Sequence, residues 1–363
     1  MARPSRRATQ HRLAGTLDVF PPADAPFGHD GPALGANLGN FSDVGAASTS
    51  RAASGRNGHI YWLQTYGYSR TLFELDPYTG QLRVQSLPPD RTGISSIAVA
   101  SDGSVLIADS GSYRASNGAV LMANPSPAGI WRFKDGVLSK LAGFDRPVPL
   151  TVVPFSIYSW PPSEDGKGGA ATFSYKLGNF CAGPNDTFYL LETGTRDSPY
   201  GGGVELMARR KISLDGTVET IDRASNVSIK CATNQRVFGR LTSAGTAYGD
   251  LVSGQVFSQT ANYDTIPRYG FGDGLAIADA HIDYMITDLK SDLVKPKLWI
   301  QVMCTYNDVN CLANSDAHFQ LDTMPYRMPM LSDSVVIDNN NYAYLRSGNA
   351  LLRYKLPGKV QLN

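Results

Sequence analysis

The chain has 363 residues, with 33 Lys and Arg against 32 Asp and Glu. A formal net charge of +1 argues against the basic stripe of a nucleic-acid surface. No run of 18 apolar residues is present, so no transmembrane segment is expected; the richest stretch, 150–160, is broken by Pro154. With 36 Gly, 18 Tyr, 18% charged residues and no apolar spacing of helical period, the composition suits many short strands joined by tight turns.

The N-terminal MARPSRRATQHR is basic, free of acids and without the apolar centre of a secretory signal, and reads as an exposed tail over residues 1–10. The clearest structural unit follows at 94–143. Ile97 and Val99 alternate with small residues, Ser101-Asp102-Gly103 turns the chain, and Val105 and Ile107 return. A third run at 130–134 then turns at Asp135-Gly136 into a fourth at 137–141. Four such runs make one small antiparallel sheet, which cannot bury both faces alone and must stack on copies of itself.

The copies are present along the chain. FCAGPNDTFYLLETG, SVVIDNNNYAYLRSG and, less cleanly, KCATNQRVFGRLTSAG superpose without a gap on IAVASDGSVLIADSG. LFELDPYTGQL, ARRKISLDGTVETI and ALLRYKLPGKV repeat IWRFKDGVLSKLAG. Recurrent glycines fall near 67, 111, 194, 244 and 348; the last step is two units long, and KLWIQVM at 297–303 is taken as its missing member. Six repeats predict an all-β, six-bladed β-propeller of four-stranded antiparallel blades, with residues 11–363 as a single domain.

The pieces LAG at 13–15 and 141–143, HDGPALGANLGNF, EDGKGGAATF and ARRKISLDGTVETI recur in a constant order. In that order they resemble the NHL-repeat family of β-propellers, whose pattern runs LAG, DGxGxxAxF, IAVDxxGxLYVADxG and RKIxxDGxVxTLAG. The resemblance covers nearly the whole chain and implies the propeller. It implies no activity, because propellers host unrelated functions. Propellers of this family commonly complete their last sheet with an N-terminal strand. Residues 11–16 are suited to that role beside 350–356, and the C-terminal KVQLN competes for it. The basic cluster Arg209-Arg210-Lys211 falls where the repeat writes RKI and reads as structural.

Related six-bladed propellers include a zinc-dependent lyase using three histidines, calcium-dependent lactonases and a streptogramin lyase. The five histidines, His11, His29, His59, His281 and His318, share no repeat position, so a zinc triad is not expected. Calcium requires oxygen ligands facing the central channel, and Asn179, Asn226 and Asp283 are the candidates. No glutamate stands at an obvious inner-strand start, which departs from the lactonase pattern. GxSxG, Walker and CxxC motifs are absent. The expectation is a non-catalytic binding or scaffold module without a cofactor. The alternative is a calcium- or zinc-dependent lyase or lactonase-type hydrolase with its site in the channel.

Loop lengths suggest where a partner binds. Turns joining first to second and third to fourth strands are minimal, whereas the other joins, around 112–129, 144–176, 195–205 and 304–317, carry the extra residues. The long joins are expected on one face, with Tyr113, Arg114, Phe155, Tyr158, Trp160, Tyr200 and Tyr306 available to a protein or glycan. Cys304 and Cys311, in the polar loop CTYNDVNC, are expected to form a disulfide. Cys181 and Cys231 occupy equivalent repeat positions; buried apolar packing is expected there rather than a bond, unless the sheets converge near the axis. Sequons begin at Asn40, Asn185 and Asn226. Together these features point to an extracellular or surface location.

Overall fold

A computed structural model describes residues 10–15, 30–34, 36, 38, 52–55, 57–66, 69–88, 93–111, 114–116, 119–121, 128–144, 163–173, 176–196, 205–224, 227, 229–231, 237–241, 248–254, 256–258, 269–270, 276–288, 293–303, 316–320, 324–325, 335–337, 342–347 and 350–355. These residues build a six-bladed β-propeller. From the axis outwards, blade one comprises Ala52–Ser54, Ile60–Tyr66, Ser69–Asp76 and Gln81–Leu87; blade two comprises Ile94–Val99, Val105–Asp109, Gly129–Lys134 and Val137–Ala142. Blade three comprises Lys176–Ala182, Thr187–Arg196, Glu205–Ser213 and Thr217–Ala224; blade four, Lys230–Cys231, Val237–Arg240, Tyr248–Asp250 and Val256–Ser258. Blade five comprises Tyr269–Gly270, Ala276–Asp288, Leu293–Met303 and Asp316–Gln320; blade six, Val335–Ile337, Tyr342–Ser347, Ala350–Lys355 and, outermost, Gln10–Gly15.

Each innermost strand lies against the innermost strands of the preceding and following blades, and that of blade six returns to blade one. The ring is therefore closed. Its seam joins the two ends of the chain, with Gly15 opposite Ala350 and Gln10 opposite Tyr354.

Alternating side chains make the core. In the second strand of blade one, Tyr61 and Leu63 pack with Ile97, Val99, Val105 and Phe133 of blade two. Trp62, pointing the other way, packs with Ala14, Tyr344 and Leu351 of blade six. Blades two and three meet through Ala98, Leu106 and Ile130 on one side and Phe180, Phe188 and Ile212 on the other. The strand period of two thus supplies each sheet with two apolar faces, which is what a radial stack needs. Asp135 (φ 50°) and Gly136 (φ 79°) make the two-residue hairpin in blade two, the left-handed geometry that an Asp-Gly pair accommodates.

Three details depart from the sequence expectation. Residues 297–303 belong to the third strand of blade five, because the long Ala276–Asp288 strand precedes them as the second. The join at 112–129 is not a plain loop: Arg114–Ser116 and Ala119–Leu121 pair as a separate two-stranded hairpin. Cys181 and Cys231 form a disulfide, their Cα atoms 4.9 Å apart. The usual sheet spacing of roughly 10 Å does not hold where the innermost strands converge on the axis. Cys304 and Cys311 lie outside the described residues.

Candidate functional site

Chain direction alternates strand by strand, so the joins fall into two sets at opposite ends of the ring. One end carries first-to-second and third-to-fourth turns: 77–80, 100–104, 135–136, 183–186 and 214–216 among them. At the other end the chain leaves blade two's second strand at Asp109 and re-enters its third at Gly129. It also leaves Ala142 and returns at Lys176, and leaves Arg196 and returns at Glu205.

Arg114 sits in the hairpin strand at this long-join end. Tyr113, Phe155, Tyr158, Trp160 and Tyr200, expected beside it, lie outside the described residues. Tyr306 does too, and its segment, 304–315, joins the third strand of blade five to the outermost. The flanking residues Met303 and Asp316 are therefore the ends of a third-to-fourth join, not of the second-to-third join implied by reading 297–303 as a second strand.

The long join between blades two and three is anchored to blade three by a buried ionic cluster. Neighbouring residues of a strand face opposite sides of the sheet, so Arg209 and Arg210 go separate ways. Both are almost fully buried. Arg210 Nη1 donates to Glu192 Oε2 at 2.8 Å and to the Ser163 hydroxyl, and its Nη2 donates to the Glu164 carbonyl at 2.9 Å and to Asp165 at 3.2 Å. Its guanidinium also stands 5.4 Å from the centre of the Phe173 ring. Ser163 completes the cluster by donating to Glu192 at 2.9 Å. Asp165 is nudged upward by burial, but the Thr220 contacts and the Arg210 and Arg223 charges together hold its carboxyl below the ordinary range. Arg209 turns to blade four, donating to Asp222 and to the Arg240 carbonyl. The basic cluster is thus structural on both faces.

Near the axis, Asn179 donates its side-chain N–H to the Ile229 carbonyl at 2.7 Å, tying blade three to the approach to blade four. Ser96, at the equivalent position of blade two, donates to the Gly178 carbonyl of blade three at 2.6 Å. Sharing that position, Asn179 acts as an inter-blade tie. Asp283 lies in the second strand of blade five, opposite Lys297, rather than in the innermost strand. Asn226 is outside the described residues. Among the described residues no group of three or more His, Cys, Asp or Glu side chains is placed to hold a metal ion.

A polar cluster that the sequence reading did not single out occupies the short-turn end of blade one. His59 Nδ1 lies 2.7 Å from Glu74 Oε1, and the Tyr61 hydroxyl donates to the same oxygen at 2.9 Å. Asn57 donates to Tyr61 at 3.1 Å and accepts the His59 backbone N–H. Burial, foremost, and the Glu74 charge push the Tyr61 hydroxyl far above its usual range, the Asn57 contact opposing them, so Tyr61 serves as a neutral donor. The signal for this cluster was the cross-strand pairing of Tyr61 with Glu74, which appears only once the register is known.

Comparisons with known protein families and with curated proteins find no match. Among solved structures the chain is similar to a gluconolactonase from Xanthomonas campestris, at 13% identity and a TM-score of 0.41 over 98% of this chain and 99% of that one. It is also similar to a catalytically inactive virginiamycin B lyase from Staphylococcus aureus, solved with quinupristin, at 13% identity and a TM-score of 0.38 over 87% and 97%. TolB from Acinetobacter baumannii follows at 11% identity and a TM-score of 0.34, covering 75% of this chain and 56% of that one. The chain is a β-propeller, defined as such by its own sheet order and closed ring.

Proposed function

We propose that the protein is a non-catalytic, NHL-like propeller that binds a protein or glycan partner on the long-join end. The observation that carries this reading is the distribution of chain length: in blades two and three the opposite end is closed by turns of a few residues, while the joins of the binding end are long. Divergent loops on a rigid scaffold are the usual carriers of recognition. Arg114, with Tyr113, Phe155, Tyr158, Trp160 and Tyr200, supplies the aromatic and guanidinium groups that dominate interface energetics. The buried clamp around Arg210 supports this reading because it fixes the later part of the long join between blades two and three. An extracellular or surface location goes with it, supported by the Cys181–Cys231 disulfide, since such bonds persist in oxidising compartments.

The test is binding to a protein and glycan array by the wild type and by Tyr158→Glu/Trp160→Glu, with elemental analysis of both proteins. Hits lost in the variant, in protein free of stoichiometric metal, are the expected result. A stoichiometric calcium or zinc ion in the purified chain would favour a hydrolase or lyase of the channel instead.

A further inference from the structure

Charge is distributed unevenly along this chain. Residues 1–17 hold four arginines and residues 339–363 hold two arginines and two lysines, with no Asp or Glu in either stretch. The 321 residues between them carry 25 Lys and Arg against 32 Asp and Glu. A formal charge of +8 in the two end stretches is thus offset by −7 elsewhere, and the net of +1 conceals both.

The fold gathers both stretches into blade six. Its outermost strand, Gln10–Gly15, pairs with Ala350–Lys355, placing Gln10 opposite Tyr354, His11 opposite Arg353 and Arg12 opposite Leu352. Among the described residues, the strands of blade six contain Arg12, Arg346, Arg353 and Lys355 and no acid. Every other blade has an acid in its strands, as at Glu74, Asp109, Glu192, Asp250 and Asp283. Arg353 Nη1 donates to the Pro77 carbonyl at 3.1 Å, and its guanidinium stands 4.8 Å from the centre of the Tyr342 ring. Both partners are uncharged, so these contacts leave its charge uncompensated. Neighbouring strands lie about 4.8 Å apart and the Debye length is about 8 Å at physiological salt, so Arg12, Arg353 and Lys355 act on an anion together. Residues 1–9 and 356–363 lie outside the described residues. Covalent continuity attaches them, with their three arginines and one lysine, to Gln10 and Lys355 at the short-turn end.

We infer that the short-turn side of blade six binds an acidic polysaccharide, a linear polyanion of sulfate and carboxylate groups. Six of the eight cations are arginines, whose planar fork pairs with such oxyanions. Tyr344 is buried and Arg353 faces Tyr342, so these rings are not open platforms for bases, which argues against a single-stranded nucleic acid. Residues 1–9 hold no aromatic or branched apolar side chain to supply the second anchor that stable attachment to a bilayer needs. The choice of a glycan over duplex DNA rests on the extracellular or surface location proposed above. This surface is separate from the long-join end.

The test titrates the full chain into a fluorescent heparin fragment, read by anisotropy at low and high salt. Saturable binding that weakens steeply with salt is expected. Arg12→Gln/Lys355→Gln should raise Kd about tenfold, at about threefold per cation, and Arg3→Ser/Arg6→Ser/Arg7→Ser at least as much. Circular dichroism checks the first variant; the second changes residues of no described strand and decides the matter should the first fail to fold. Lys167→Gln/Lys211→Gln removes two exposed cations from blade three, across the ring, and should leave Kd within about twofold. Absence of saturable binding, an unchanged Kd in both blade-six variants, or equal weakening by the blade-three control overturns the inference. Preference for phosphatidylserine vesicles overturns it too. Tighter binding to duplex DNA of matched charge, lost in the same variants, overturns the glycan together with the location on which that choice rests.

Discussion

Arg210 and Glu192 stand in adjacent strands of blade three with Nη1 and Oε2 2.8 Å apart, and neither side chain has any solvent exposure. Two buried charges so placed depend on each other, and on the Ser163, Glu164 and Asp165 oxygens that accept further hydrogen bonds from the Arg210 Nη atoms.

Removing one partner strands the other in the core. Glu192→Gln and Arg210→Met are each expected to cost about 3–5 kcal/mol in urea unfolding, with the double variant costing less than the sum. An additive pair would show that the contact is not energetically coupled.

The Cys181–Cys231 bridge spans 50 residues of sequence and clasps two blades at the axis. Loop-closure entropy for that length is worth about 4 kcal/mol, so Cys181→Ser/Cys231→Ser should unfold at markedly lower urea than the oxidised protein. Non-reducing peptide mapping should recover the 181–231 pair, and a second bridged peptide joining Cys304 to Cys311. Alkylation of Cys181 and Cys231 without prior reduction would refute the bridge.

Acid should weaken the fold through specific aspartates. Asp215 is held at about 2, first by the Lys167 ammonium and then by the Thr217 N–H. At Asp102 burial pushes upward, but Lys134, Ser104 and Arg132 together outweigh it and leave the carboxyl well below its usual range. Both folded values lie below the unfolded value of about 3.9. The stability they contribute is thus present above pH 4 and is lost as pH falls through the folded values, for Asp215 between about 4 and 2. Asp102→Asn/Asp215→Asn should flatten the fall of the thermal midpoint in that window. An unchanged slope would assign acid sensitivity to other groups.

Ser96 and Asn179 are expected to act as ties between innermost strands. Ser96→Ala and Asn179→Ala should each lower stability by about 1 kcal/mol, the worth of one net hydrogen bond. Calcium should leave the thermal midpoint of the wild type unchanged; a calcium-dependent rise that disappears in Asn179→Ala would instead make that residue a ligand.

The sequence by itself determined the number and kind of sheets. Alternation at Ile97, Val99, Val105 and Ile107, the Asp135-Gly136 turn, and the recurrence of both around the chain are local signals, set by strand period and turn geometry. They are readable wherever they occur. Where that pattern is weak, as in the long strands of blade five, residues 297–303 were assigned to the second strand instead of the third. What only the tertiary structure decided are the contacts between distant segments. Cys181 meets Cys231 because radial stacking brings innermost strands far closer than ordinary sheet spacing, and Arg210 meets Ser163 because a long join folds back over blade three. The sequences HDG and EDG were legible, but only the pairing registers show which strands they cover.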